Sequence, residues 1–121
     1  MNENDRQYDL EDRLIEFAVM MIDAIEALPG TRTGNHIAGQ LLRSGTSPAP
    51  NYGEAQSAES KRDFIHKIKV ALKELRETKV WLKIIQRKSL VDDSNLTTAG
   101  LTECDELIRI FSASVKTASK E

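Results

Sequence analysis

From Tyr8 to Leu28 the apolar residues Leu10, Leu14, Phe17, Ala18, Met21, Ile22, Ile25 and Leu28 recur at steps of three and four, and the same spacing returns in three later stretches. That period lets an α-helix bury a single face, and no segment shows the two-residue alternation of a half-buried strand. The chain therefore reads as all-α, with helices over about 8–28, 33–57, 60–88 and 98–116. Pro29 and Gly30 stop the first, and Thr31 or Thr33 is placed to cap the second. Ser60, with Asp63 three residues on, resembles a capping box ahead of the third. Short links force successive helices antiparallel, so the expected fold is an up-down-up-down four-helix bundle. A length of 121 residues suits one such domain, residues 1–121.

The stretch SGTSPAPNYGEAQS, residues 44–57, interrupts this regularity. A proline inside a helix removes one backbone bond and crowds the carbonyl four residues back, at a cost of about 3 kcal/mol. Two arrangements reduce that cost. Either the helix breaks near Gly45 and restarts with Ser47 as N-cap, or it continues with a kink near Ser47 and Pro48. In both, Gly39, Ser44, Gly45, Ser47, Ala49, Gly53 and Ala55 keep the element thin enough for close approach by its neighbours. Arg43, Asn51 and Glu54 sit among these small residues and are candidates for polar contacts between helices, with Glu74 and Glu77 of the third helix as partners.

That third helix has three faces at about 100° per residue. Phe64, Ile68, Ala71, Leu72, Leu75, Thr78, Leu82 and Ile85 share the core-facing arc. Lys61, Arg62, Lys69, Lys73, Arg76, Lys79, Lys83 and Arg87 fill the next third, a candidate surface for nucleic-acid phosphates or for an acidic partner. The remaining side mixes Asp63, Glu74 and Glu77 with Val70, Trp81 and Ile84. One bundle needs only one apolar stripe per helix, so Val70, Trp81 and Ile84 are candidates for a subunit interface. Between Lys61 and Lys88, ten Lys/Arg face three acids, a segment charge of +7 that leaves −9 elsewhere in a chain of net −2. Glu11, Asp12, Glu16, Asp23 and Glu26 of the first helix would neutralise the stripe if they lay beside it.

Little points to an enzyme. Asp63-Phe-Ile-His66 has the spacing of half a di-iron motif, but no second half exists. There is no nucleophile elbow, phosphate-binding glycine loop or zinc-protease pattern. The single Cys104 lies on the apolar face of the last helix and reads as a small core residue. One cysteine, a polar acidic N-terminus and no apolar run of membrane-spanning length point to a cytoplasmic protein with no membrane contact. No cofactor or small-molecule substrate is expected.

The run QLLRSGTSPAPNYGEAQSAESKRDFIHKIKVALKELRETKVWLKII closely resembles the four-helix-bundle proteins of the 23S rRNA intervening-sequence family. Arg43-Ser44, Ser47, Asn51-Tyr52, Glu54-Ala55, Phe64, Ala71, Glu74, Glu77 and Trp81-Leu82 carry most of that likeness. The resemblance implies a small bacterial or archaeal bundle that assembles as a homopentamer and has no established biochemical activity. A related branch, the accessory variability proteins of diversity-generating retroelements, forms pentameric barrels that bind a reverse transcriptase and nucleic acid. Those relatives are strongly basic, whereas this chain is net acidic. The resemblance also implies a second helix bent at the Ser-Pro segment, with Asn51 and Glu54 turned inward.

Overall fold

A computed structural model describes the backbone of residues 3–120 and the side chains of residues 10–120. It contains α1 (Glu3–Glu26), α2 (Arg32–Thr46), α3 (Pro48–Gln56), α4 (Lys61–Lys88) and α5 (Ser94–Lys120), with no strand among the described residues. The first helix starts ahead of Tyr8, the residue at which the apolar period begins. The last runs from Ser94 to Lys120, beyond the expected 98–116 at both ends. At its start the Asp93 carboxylate accepts from the Asn95 N–H at 3.0 Å, opening the helix inside what reads as a polar connection. Val91 and Thr97 of the same segment are buried.

The expected second helix is two consecutive segments, α2 and α3, that meet at Ser47. Ser47 between them keeps right-handed helical angles, its N–H donates to the Arg43 carbonyl, and its own carbonyl accepts from the Asn51 N–H. The rod thus carries on through the Ser-Pro segment, and Pro48 takes a first-turn position where a missing N–H costs little. Ser47 stands at the N-cap position of α3, as a restart there expects, but its side chain makes no cap bond and its backbone stays helical. The start of α2 does have a cap, with the Gly34 N–H donating to Thr31 Oγ1 at 3.0 Å. A Cβ at Gly34 would fall 1.9 Å from the Pro29 carbonyl oxygen, so the loop folds down onto a position that only glycine fits. Likewise the Asp63 N–H donates to Ser60 Oγ at 3.0 Å at the head of α4. Ser89 closes α4 in the left-handed conformation (φ 53°), and the Leu90 N–H reaches back to the Ile85 carbonyl.

Pairing across the helices fixes the directions. Arg43, Ser44 and Glu54 on the α2–α3 rod meet Glu77, Thr78 and Lys67 on α4, so numbers fall on one as they rise on the other. Leu75 meets Cys104 and Leu82 approaches Gly100, which makes α4 and α5 antiparallel. Helix α1 packs on α2, α3 and α5; α4 packs on α2, α3 and α5; among the described residues α1 and α4 stand diagonally across the core. Phe17, Met21, Leu41, Leu75, Leu82, Leu107 and Phe111 fill its centre. One buried polar pair crosses it, the hydroxyls of Ser44 and Thr78 at 2.9 Å.

Candidate interaction site on α4

Helix α4 is built much as its three faces suggest. Ile68, Ala71, Leu72, Leu75, Thr78, Leu82 and Ile85 are buried against the other helices. On the flank toward α2, Arg43 forms ion pairs with Glu74, at 2.7 Å, and with Glu77. Glu77 also accepts from the Trp81 indole N–H at 3.1 Å, and the Trp81 ring meets His36 of α2 edge to face at 5.9 Å. The result is a polar lattice across the α2–α4 seam, with Glu74 well shielded and Arg43 half open to solvent. Glu54 is not turned inward. It lies on the outer edge of α3, 60% exposed, where Lys67 reaches it at 3.1 Å. Pro48, Tyr52 and Ala55 take the inner positions of that segment, and Glu54 falls on its flank. Asn51 is half-buried.

The three apolar candidates differ from one another. Trp81 is half-buried and packs partly on the core, so some of its area belongs to the bundle itself. Val70 is half-buried, whereas Ile84 is 40% exposed. Val80, which the three-face reading leaves out, is 55% exposed, the most open large apolar side chain among the described residues. Its period places it inside the lysine sector, where a run of charges hides it.

Seven of the eight basic stripe residues, Lys61, Arg62, Lys69, Lys73, Arg76, Lys83 and Arg87, are exposed. Lys79 departs from the expectation: it is half-buried and forms an ion pair with Asp105 of α5 at 2.6 Å, because it points to the edge that α5 covers. Lys69, Lys73 and Arg76 line an open groove between α4 and α5 that Leu72 and Val115 also line. The acids of α1 do not neutralise this surface, since α1 is the one long helix that α4 does not touch. Exposed Glu11, Asp12, Glu16, Asp23 and Glu26 lie on the opposite side of the bundle.

Burial pushes the Cys104 thiol up to about 12, and its S–H donates to the Leu75 carbonyl. A protonated, enclosed sulfur is a poor nucleophile. Among the described residues no three His, Cys, Asp or Glu side chains converge on a metal-sized site, and no helix is long and apolar enough to cross a membrane.

The described residues thus form an all-helical bundle. The chain belongs to the 23S rRNA-intervening sequence protein family, whose profile matches residues 6–113. It is similar to a crystal structure of a protein of unknown function from the S23 ribosomal protein family of Bacteroides thetaiotaomicron, at 30% identity and a TM-score of 0.81. That alignment covers 91% of this chain and 97% of the other. No curated protein matches the chain.

Proposed function

We propose that the protein is a non-enzymatic, homo-oligomeric helical scaffold of the cytoplasm that presents a basic face to RNA or to a nucleic-acid-handling partner. A pentamer is the assembly that the family likeness implies. The observation that carries this reading is the division of α4's outer surface. Its N-terminal half holds Lys61, Arg62, Lys69, Lys73 and Arg76 with the groove beside them, and no large apolar side chain there is exposed. Its C-terminal half exposes Val80 and Ile84 next to Trp81. A monomer gains nothing from holding those in water, and a subunit contact would bury them. Val70, half-buried on the same flank, extends the contact surface.

Two experiments test the proposal. Binding to unrelated RNA duplexes and single strands is titrated with salt. Contact with several phosphates lowers log K with a slope of about −0.9 per phosphate on a duplex and about −0.7 on a single strand. Lys69→Glu with Lys73→Glu should abolish the binding. Light scattering on the wild type and on Trp81→Ala should show an oligomer that loses mass in the variant. A monomeric wild type refutes the scaffold.

A second reading, a protein-interaction module without direct nucleic-acid binding, is favoured by the low pI of about 5.7 and by the lack of aromatic residues among the lysines. Absence of RNA binding at low salt, in a protein that is still oligomeric, selects it.

A further inference from the structure

The outer face of α1 carries a second apolar stripe that the core does not use. Ile15, Val19 and Ile22, spaced i, i+4 and i+7, are 46%, 46% and 38% exposed. Three side chains at that spacing form one row along a helix. On either side of the row lie Glu11, Asp12, Glu16, Asp23 and Glu26, all exposed, and from Leu14 to Thr31 the chain has no Lys or Arg. Leu42 of α2, 47% exposed, borders the same face, because Met21 lies against Gly45 and so sets Ile22 level with the Leu42 turn.

The exposed apolar pair of α4 has the opposite rim. Val80 and Ile84 are one turn apart, and apart from Trp81 and Glu77 their neighbours at three and four residues are the cations Arg76, Lys83, Arg87 and Lys88. The one acid in reach, Glu77, is already held by Arg43. Both faces are thus apolar rows of similar pitch, one framed by carboxylates and the other by cations. Since α1 and α4 are diagonal, the two faces look away from each other, and one copy can use both at once.

We infer that the Ile15/Val19/Ile22 face of α1 docks on the Val80/Ile84 face of α4 in a second copy of this chain, head to tail. Pairing α1 with α1 would set acids against acids, and pairing α4 with α4 would set bases against bases; only the mixed contact matches both the apolar rows and the charges. A contact between two different faces of one chain is heterologous, and it closes into a ring when the rotation between copies allows. The inference rests on the self-association through α4 proposed above and names the surface that meets it.

The test uses the full chain and charge reversal at exposed sites that leave the core untouched. One variant carries Glu16→Lys, Asp23→Lys and Glu26→Lys; another carries Lys83→Glu, Arg87→Glu and Lys88→Glu; a third combines all six. Far-UV circular dichroism establishes that each is folded, and sedimentation velocity reads the mass. Each single set should reduce the oligomer to the 13.6 kDa monomer, and the combined chain should recover it. If the α1 set leaves the mass unchanged while Trp81→Ala lowers it, α1 is not the docking surface, though α4 still is. Loss of mass in both sets with no recovery on combination also overturns the head-to-tail contact. A wild type that is monomeric at every concentration removes self-association altogether, and this inference with it.

Discussion

Gly45→Ala tests how closely α1 and α2 pack, and Gly39→Ala in the same helix is its control. A Cβ at Gly45 would lie 2.6 Å from Met21 Cγ and 3.0 Å from Met21 Cβ. Met21 cannot give way easily: it is fully buried, and its terminal methyl is packed against the backbone of Gly100. The methyl must therefore part the helices or force an unfavourable rotamer, an overpacking cost of about 1–3 kcal/mol. Against it stands a helix-propensity gain of about 1 kcal/mol for Gly to Ala. At Gly39 nothing lies within 4 Å of the added methyl, so only the gain remains. Gly39→Ala should melt above the wild type, and Gly45→Ala below Gly39→Ala by about 1–3 kcal/mol. For a chain of this length that is about 4 °C per kcal/mol in thermal unfolding followed by circular dichroism. Part of the Gly45→Ala penalty should vanish in a Met21→Ala background, since the two side chains compete for one space. Equal melting of the two glycine variants would refute the close approach.

Two serines one helical turn apart, Ser44 and Ser47, should respond differently to loss of their hydroxyls. Ser44→Ala removes one of the two partners of the Thr78 hydroxyl, leaving the Glu74 carbonyl, and should cost up to about 1 kcal/mol in urea unfolding, whereas the Ser47 hydroxyl is buried without a protein partner, so Ser47→Ala should be neutral or stabilising. Cys104, raised from its ordinary 9.0 to about 12, should resist thiol reagents at pH 8 in the native protein and react once urea unfolds it. Because the fold holds the neutral thiol, its contribution is fully present below pH 9 and is lost as pH rises toward 12, when the unfolded chain ionises first. An alkaline stability curve that is unchanged by Cys104→Ala would contradict that linkage.

Helix content and the inner faces were legible because burial leaves a period in the sequence. The inner arc of α4 can be read from Ile68 to Ile85, with Phe64 at its head only half-buried, and the acids that pair with Arg43 lie on the adjoining face. What escaped the period was the outside. Ile22 repeats in step with Leu14 and Met21, so it reads as core, yet it lies about 80° around the helix from Leu14 and is exposed. Ile15 and Val19 never fit the inner row, and Val80 is masked by the cations around it. Packing neighbours are likewise absent from periodicity. Whether the acids of α1 cover the lysines of α4 depends on which helices are diagonal, and only the assembled bundle decides that.

Net charge is a poor guide to what the proposed assembly would bind, because a cyclic arrangement of the proposed kind would sort charge by face. If α1 of each copy covers the C-terminal half of the next copy's α4, the acids of α1 and the cations near Val80 neutralise one another within the contacts. The basic N-terminal halves of α4 stay open, and rotational symmetry repeats them at one common level around the axis. A monomer would offer RNA only a few phosphate contacts, whereas an assembly would offer several linked sites, with avidity of about 10²-fold or more over one site. Ile15→Ser with Ile22→Ser removes apolar area from α1 and leaves every charge in place, so it isolates assembly from electrostatics. The proposal expects this variant to lose both mass and RNA affinity although no basic residue has changed. An unchanged affinity alongside a monomeric mass would mean that each copy binds RNA by itself, and would separate the basic face from the assembly.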